Sequence, residues 1–249
     1  MGAIAAIEAQ QLAVGYAGSP LLGEVTFDVA AGEVFAILGE SGAGKTTLVR
    51  TLLGLLPALG GSLRVAGREL VGAGEDARDA VLGDIGVAFQ SGALFDSLTL
   101  AENVLVPIRA RTDLPASTAA LLARVTLATV GLADAADLLP AQISGGMRKR
   151  AGIARAMALD PKILVLDEPT SGLDPLTAAD LDRLILTLNR GLGITVLMVT
   201  HDLASTFAVA GRCILVDARA GGIVAAGPPA ELRARHPNPK VRAFFERTV

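Results

Sequence analysis

Hydrophobic residues follow two different spacings along the 249-residue chain. Short apolar runs predict β-strands in the first third, at residues 4–16, 22–29, 34–38, 62–70 and 85–90. Helical spacing dominates from about residue 100 to residue 158. Strand and helix patterns then alternate, with strands at 162–167, 194–199 and 212–217 and helices at 176–190 and 202–210. This alternation is typical of a parallel sheet covered by helices, into which the block at 100–158 is inserted.

One loop carries a phosphate-binding pattern. Residues 39–47 read Gly-Glu-Ser-Gly-Ala-Gly-Lys-Thr-Thr and match G-x-x-x-x-G-K-[ST]. An apolar strand pattern precedes the loop, and helical spacing over 46–56 follows it, so its N–H groups and a helix dipole would face an anion. The predicted nucleotide-binding residues are Gly39, Glu40, Ser41, Gly42, Ala43, Gly44, Lys45, Thr46 and Thr47. The alternative is a glycine-rich turn between core elements.

Two of these side chains have specific predicted roles, and a second motif complements them. Lys45 would reach the β- and γ-phosphates, and the Thr46 hydroxyl would ligate Mg²⁺.

The apolar run at 162–168 ends in Asp167 and Glu168. Ligands bind beyond the carboxyl ends of parallel strands, so Asp167 is expected near Mg²⁺ and Glu168 is expected to act as general base. The alternative is that both acids merely cap a strand.

A third pattern begins a helix. Ser144 is a favourable N-cap, and Gly145 and Gly146 follow it in a helix expected to reach about residue 159. Because the first turn has no acidic side chain, the helix end is free for an external anion. The alternative is an ordinary capped helix. The basic residues at 148–150 are interpreted as a solvated helix face.

Charge and composition limit the classes of partner and the location that are expected for the chain. The formal net charge of −3 offers no basic footprint, so no nucleic-acid partner is expected. No run of 18 apolar residues exists, so no membrane span is expected. The N-terminal pattern does not indicate a signal peptide. Cys213 is the single cysteine, which excludes a disulfide within the chain and fits a reducing compartment.

In their order along the chain, these motifs resemble those of the nucleotide-binding subunit of ABC transporters. The family's glutamine loop matches Gln90, its signature matches Ser144, Gly145 and Gly146, and its switch histidine matches His201. Its D-loop matches 171–174, and Tyr16 stands where the family places an aromatic ring against adenine. An N-terminal aromatic residue can equally belong to the core, and that alternative stays open for Tyr16.

The resemblance implies one α/β domain, an ABC-type P-loop ATPase. It would have a RecA-like parallel-sheet core, an N-terminal antiparallel β subdomain and an inserted α-helical subdomain. The implied limits are 1–91 and 160–249 for the ATP-binding core and 92–159 for the helical subdomain.

The resemblance also implies a mechanism. Two copies would pair head to tail around ATP and Mg²⁺, and hydrolysis would reopen the pair. The implied catalytic residues are Glu168, His201 and Lys45, and Mg²⁺ would contact Thr46, Gln90 and Asp167. The residues implied to act on the nucleotide of the facing copy are Ser144, Gly145, Gly146 and Asp174.

A narrower resemblance concerns the transported substrate. Segments 89–99, 144–150 and 238–245 are similar to the ATPase of Mla/Mce lipid transporters. Met147 replaces the usual signature glutamine, so no polar contact carries over to that position. The implied partners are a second copy of the chain, integral membrane permease subunits, an Mce-domain protein and a small regulatory subunit. The implied location is the cytoplasmic face of a bacterial inner membrane, with peripheral attachment.

Other functions remain open. A transporter of another solute would carry the same motifs. A soluble ABC-type ATPase acting on DNA or ribosomes is disfavoured by the charge and length, and a non-enzymatic binding module by the full motif set. Apolar residues at 94–104 are expected to be mostly core, with a groove for a permease helix as the alternative. Val241, Phe244 and Phe245 are expected to dock on the protein's own body or on the facing subunit.

Overall fold

The computed structural model describes residues 5–90 and 92–246. An antiparallel sheet at the N-terminal end has the strand order β2-β1-β4-β5. Its strands are β1 (Ala5–Tyr16), β2 (Ser19–Ala30), β4 (Gly60–Val65) and β5 (Arg68–Glu69).

A six-stranded sheet forms the centre of the molecule, with the order β10-β9-β3-β8-β7-β6. Its strands are β3 (Val34–Leu38), β6 (Ile85–Ala88), β7 (Ile163–Asp167), β8 (Thr195–Thr200), β9 (Arg212–Asp217) and β10 (Gly222–Gly227). All neighbours pair in parallel except β10, which is antiparallel to β9. Strands β3 and β8 are buried along their whole length, which explains their continuous apolar runs.

Nine α-helices lie in the described part of the chain. Their bounds are α1 (Lys45–Leu52), α2 (Glu75–Gly83), α3 (Leu100–Arg111), α4 (Ala116–Thr129), α5 (Gly145–Met157), α6 (Pro175–Leu192), α7 (Leu203–Val209), α8 (Pro229–Arg235) and α9 (Pro239–Glu246). Short 3₁₀ turns occupy Ala133–Ala135 and Pro140–Gln142. Within residues 5–90 and 92–246, no helix combines the length and the apolar character that crossing a bilayer would need.

The core consists of two apolar clusters, one on each face of the six-stranded sheet. Alternate residues of β3 separate them: Ala36 and Leu38 face the helices of the insertion, whereas Phe35 and Ile37 face the antiparallel sheet and α1. Because strand side chains alternate between faces, one buried strand contributes to both clusters. The sheet is therefore covered on both sides, and its carboxyl edge is left for ligands.

The predicted alternation of strands and helices is confirmed in the parallel sheet. Two element limits were wrong. The strand predicted over 62–70 is interrupted at Ala66 and Gly67, whose φ angles of 49° and 78° make a two-residue hairpin turn. Helix α1 ends at Leu52 rather than at residue 56, because Gly54 adopts a φ of 67°. The patterns of α2, β10 and α8 were not recognised.

The subdomain limits stay a prediction, and their boundary at residue 91 lies outside the described residues, as does residue 4 of the predicted first strand. Among the apolar residues at 94–104, Leu100 and Val104 are buried core, as expected for most of them, while Phe95 is half exposed. The expected docking of α9 on the protein's own body is confirmed: Val241 and Phe245 are buried, and Phe245 contacts Phe207 edge to face.

Candidate active site

A cavity of about 880 Å³ opens at the carboxyl edge of β3, β7 and β8. Its walls are the loops that follow these strands, together with the end of β6 and one residue of α9. The predicted site residues among its lining are Gly39, Glu40, Ser41, Gly42, Lys45, Thr46, Gln90, Asp167, Glu168 and His201. The structure therefore brings motifs that are far apart in sequence to one cavity.

The loop at 39–47 curls because two of its glycines adopt left-handed conformations. Gly42 has a φ of 79° and Gly44 a φ of 95°. Gly44 precedes α1, which has neither a side-chain cap nor an acid in its first turn. At Gly39, a Cβ atom would lie 2.7 Å from the Val216 carbonyl oxygen, so only glycine fits there. The uncapped N-terminus of α1 leaves N–H groups and a positive dipole end available to an anion.

Lys45 is the cation of this loop. Its Nζ donates hydrogen bonds to the carbonyl oxygens of Gly39 at 2.7 Å and Glu40 at 3.1 Å, which fixes the ammonium group within the curl. Partial burial lowers the pKa of Lys45, while Glu168 and Asp167 act in the opposite direction. The loop therefore presents a held positive charge to whatever anion enters.

Glu168 and His201 line the opposite wall, and Thr200 supports Glu168 from the end of β8. His201 Nδ1 lies 2.8 Å from Glu168 Oε1, and the Thr200 hydroxyl donates to Glu168 Oε2 at 3.1 Å. Burial, and then the neighbouring Glu168, raise the pKa of Asp167, whereas Lys45 and Lys149 counteract this shift. The Glu168 carboxylate is thus held by two neighbours at the cavity wall, as a proton acceptor needs to be.

The predicted Mg²⁺ ligands lie in the same cavity. Thr46 supplies a hydroxyl at the start of α1, Asp167 a carboxylate at the end of β7, and Gln90 an amide whose Nε2 donates to Ser171 Oγ at 3.3 Å. Oxygen donors of these kinds suit Mg²⁺. Across residues 5–90 and 92–246, no group of three or more His, Cys, Asp or Glu side chains could hold a metal. A bound Mg²⁺ would therefore need oxygens from phosphate and water to complete its shell.

Four predicted nucleotide-binding residues do not line the cavity. Ala43, Gly44 and Thr47 belong to the 39–47 segment but are buried and do not line the cavity. Tyr16 is 50% exposed, and its hydroxyl lies 3.5 Å from Thr47 Oγ1. An aromatic ring beside the loop but outside the cavity can stack on a flat group that extends from a bound phosphate chain.

The signature residues also lie outside this cavity. Ser144 caps α5, accepting a hydrogen bond from the Met147 N–H at 3.2 Å, and the first turn has no acid, as predicted. Ser144 and Gly145 are exposed, whereas Gly146 is buried, and a Cβ there would approach Thr177 Cγ2 to 2.4 Å. Asp174 caps α6 through the N–H groups of Leu176 and Thr177. The action of all four predicted residues on a facing copy stays a prediction.

Sequence reasoning missed several residues of the site. Phe244 of α9 and Thr170 line the cavity, and Thr200 contacts Glu168; the hydroxyl that ends β8 next to His201 was a usable signal for Thr200. The interpretation of 148–150 as a solvated helix face was wrong for Lys149. This side chain is half-buried, and its Nζ donates to the carbonyl oxygens of Gln90 at 2.5 Å and Glu168 at 2.8 Å.

Comparison with known proteins gives matches to ATP-binding proteins and to parts of ABC transporters. The family model described as "ABC transporter" matches residues 22–171. The intermembrane phospholipid transport system ATP-binding protein MlaF of Escherichia coli K12 is 38% identical over 223 residues, covering 89% of this chain and 81% of MlaF. The "Probable ribonucleotide transport ATP-binding protein mkl" of Mycobacterium leprae is 41% identical over 197 residues, covering 79% of this chain. The methionine import ATP-binding protein MetN of Rhizobium etli is 39% identical over 212 residues, covering 85%.

The relatives differ in how much of their own length this chain spans. The chain spans 57% of the length of mkl and 58% of the length of MetN.

Among solved structures, the ATP-binding cassette MJ0796, a dimer bound to ADP and Pi, has a TM-score of 0.78 and 28% identity, covering 89% of this chain and 98% of that one. CbiO1 of Clostridium perfringens, part of an ABC transporter complex, has a TM-score of 0.85 and 26% identity, covering 93% and 91%.

Proposed function

The chain belongs to the ABC transporter family as an ATPase subunit, and from this premise we propose that it powers the movement of phospholipid between bacterial membranes. The predicted fold class, an α/β ABC-type P-loop ATPase with an antiparallel β part and inserted helices, is confirmed by its likeness to the two solved cassettes. The predicted ATPase activity is supported by the same family membership. The substrate, the partners and the roles of single residues are the content of the proposal.

The proposed hydrolysis uses the two walls of the cavity. The loop at 39–47 and the N-terminus of α1 bind the phosphates of ATP, and Lys45 adds a fixed positive charge. Glu168 accepts the proton of the water that attacks the γ-phosphate, and its bond to His201 holds the carboxylate toward the cavity. The observation that carries this assignment is the 2.8 Å contact between His201 and Glu168 in a cavity that also contains Lys45.

Mg²⁺ fits the oxygen donors of the site. When bound, it would neutralise charge on the phosphates, and Thr46, Asp167 and Gln90 are the residues that would hold it. Gln90 also contacts Ser171, so its amide links the end of β6 to the loop after β7. Tyr16 is proposed to stack on the adenine, since its exposed ring stands beside the loop.

We propose that the working unit contains two copies of the chain. Ser144, Gly145, Gly146 and Asp174 do not line their own cavity, and the capped start of α5 has no acid to repel a phosphate. These residues would contact ATP held by the facing copy. The dimeric form of the similar cassette MJ0796 supports this arrangement. Tighter ATP binding by the closed pair than by the open pair is what would drive a permease.

The phospholipid assignment depends on MlaF. The chain spans 81% of MlaF but 57% of mkl and 58% of MetN, and MlaF belongs to an intermembrane phospholipid transport system. We therefore propose permease subunits, an Mce-domain protein and a small regulatory subunit as partners, at the cytoplasmic face of an inner membrane. Methionine import is the second candidate, because MetN has nearly the same identity at 39%.

Co-purification distinguishes the two candidates. The chain is expressed with the reading frames beside its gene, and the complex is isolated and analysed by mass spectrometry for bound lipid. Phospholipid in the complex, and ATP-dependent phospholipid transfer between vesicles that stops in Glu168→Gln, would support the proposal. A neighbouring methionine-binding protein, with methionine uptake into vesicles and no lipid transfer, would overturn it in favour of import.

A further inference from the structure

The Lys149 side chain bonds to two residues that follow different strands and lie far from it in sequence. It lies in the second turn of α5, and its half-buried ammonium group donates to the carbonyl oxygens of Gln90 and Glu168. These acceptors follow β6 and β7, which are neighbours in the parallel sheet. No nucleotide-binding or catalytic role was predicted for this residue. One side chain therefore connects α5 with the loop that carries Gln90, proposed to hold Mg²⁺, and the loop that carries Glu168, the proposed base.

The backbone of Glu168 needs such support. Its φ of 48° lies in the left-handed region, which a residue with a Cβ occupies only when its surroundings hold it there. The N–H of Glu168 donates to the Val199 carbonyl oxygen at 2.8 Å, and its carboxylate is bonded by Thr200 and His201. Lys149 holds its carbonyl oxygen. The strained residue is thus fixed from β8, from the loop after β8 and from α5.

Arg155, six residues further along α5, provides a comparison. Its guanidinium donates to the carbonyl oxygens of Ala93 at 2.5 Å and Gly92 at 3.2 Å. Gly92 also lies against α5, because a Cβ on Gly152 would come within 3.1 Å of its Cα. Arg155 therefore holds the loop after Gln90 on the helix but makes no bond to Glu168. Only Lys149, of the two, links that loop to the proposed base.

We propose that Lys149 is a positioning residue for ATP hydrolysis: it sets the separation of the Gln90 and Glu168 main chains and so directs the Glu168 carboxylate toward the attacking water. The inference rests on the proposed role of Glu168. A cation donating to two carbonyl oxygens forms stronger, shorter bonds than a neutral donor would. The positive charge is also near Asp167 and Glu168, and these carboxylates oppose the lowering of the Lys149 pKa that burial causes.

The test compares steady-state ATPase kinetics of four variants. Lys149→Met should lower kcat by about 10-fold, the loss expected for one charge-assisted hydrogen bond in the transition state, with KM for ATP within about 2-fold. Lys149→Arg keeps a charged double donor and should regain most of the activity. Arg155→Met, the matched control, should stay within about 3-fold. Glu168→Gln tests the base itself, and thermal unfolding checks that each variant folds.

The outcomes separate the two assumptions. If Lys149→Met is folded and turns over ATP at the wild-type rate while Glu168→Gln is inactive, the role of Lys149 is refuted and that of Glu168 stands. If Glu168→Gln is active, the assignment of the base fails. An equal loss in Arg155→Met, or a rise in KM that matches the fall in kcat, would mean that Lys149 only anchors the loop. Should Lys149→Met not fold, Lys149→Gln is judged by the same criteria, with an intermediate loss expected.

Discussion

Two groups of polar side chains lie next to each other where β7 and β8 end. In one group the carboxylates lie beside cations, and in the other they are bonded by hydroxyl groups. The cavity cluster consists of Lys45, Lys149, Asp167, Glu168 and His201. Its acids face cations held by other elements, and its members border the 880 Å³ cavity or contact its wall. Burial raises the pKa of Asp167, and the neighbouring cations Lys45 and Lys149 oppose that rise.

The buried cluster beside it consists of Thr170, Asp182, Asp202 and Ser205, with no cation among them. Thr170 and Asp202 also border the cavity, whereas Asp182 and Ser205 are buried away from it. The Thr170 hydroxyl donates to Asp202 Oδ2 at 2.9 Å, and the Ser205 hydroxyl donates to Asp182 Oδ2 at 2.9 Å. Asp182 is 7% exposed, and among the described residues its Oδ1 has no hydrogen-bond partner. Burial raises the pKa of Asp182 to about 6.

From this difference we propose that the cavity cluster carries the chemistry and that the buried cluster connects structural elements. The cavity cluster has its charges balanced where substrate can enter. The buried cluster joins α6, α7 and the loop after β7 through hydroxyl groups. It reaches the cavity through Thr170 and Asp202, and the Asp202 N–H donates to Thr200 Oγ1. Changes in the first should alter turnover, and changes in the second should alter stability and its dependence on pH.

The largest expected effect is in the cavity cluster. Glu168→Gln should lower kcat for ATP by about 10²–10⁴-fold, because the amide cannot accept the proton of the attacking water. Phosphate release measures turnover, and size-exclusion chromatography with ATP should show an accumulated dimer. Glu231→Gln, on the exposed surface of α8, is the matched control and should be unchanged. Near-normal turnover in Glu168→Gln would remove this glutamate from the role of base.

His201→Ala should have a smaller effect. Loss of the 2.8 Å contact to Glu168 removes a hydrogen bond to a charged group, so kcat should fall by about 10–100-fold with ATP binding retained. The chain has two histidines, and His236→Ala is the matched control because His236 follows α8 and does not line the cavity. Equal kcat values for the two variants would show that His201 does not assist Glu168.

Much of the cavity cluster could be predicted from sequence, because its signals are local. Asp167 and Glu168 end an apolar run, and parallel strands place such ends at one edge of the sheet. His201 follows the neighbouring strand β8, as its position after 194–199 suggested. Lys149 could not be found this way, because its partners are 59 and 19 residues away and depend on how α5 is rotated against the sheet.

The buried cluster was not predicted, although α6 contained a signal for it. Leu181, Ile185 and Leu188 form the buried stripe of that helix, and Asp182 lies on the same side. A carboxylate on an apolar stripe suggests a buried polar contact. Its hydrogen-bond partner Ser205 lies in α7, so only the packing of α6 on α7 identifies it.

Asp182→Asn should stabilise the protein above pH 6. Because the folded pKa of about 6 exceeds the ordinary 3.8, the folded state binds the proton more tightly, and ionising Asp182 costs stability as pH rises through this range. At pH 8 the variant should gain about 3 kcal/mol at most in the free energy of unfolding, and below pH 4 the gain should vanish. Urea unfolding between pH 4 and pH 8 measures the difference.

The matched control for this change is Asp180→Asn, an exposed carboxylate on the same helix that pairs with Arg183. Its stability should stay within about 0.5 kcal/mol of wild type at every pH. If Asp182→Asn is no more stable than wild type at pH 8, or if its gain does not depend on pH, then Asp182 is not held as a buried carboxylate with a raised pKa.

Ser205→Ala tests the hydroxyl that holds Asp182, and we expect the smallest effect, a loss of about 1–2 kcal/mol at pH 8. At that pH the Ser205 hydroxyl is the donor to Asp182 Oδ2, so its removal leaves a buried charge without this bond. A protonated Asp182 could instead donate to Ser205, whose hydrogen would then point to Thr170 Oγ1 at 3.3 Å. The cost should therefore shrink toward pH 4 and also in the Asp182→Asn background, where no charge remains. Ser117→Ala, on the exposed face of α4, is the control. If the cost of Ser205→Ala does not depend on pH and is the same in the wild-type and Asp182→Asn backgrounds, Ser205 contributes packing alone.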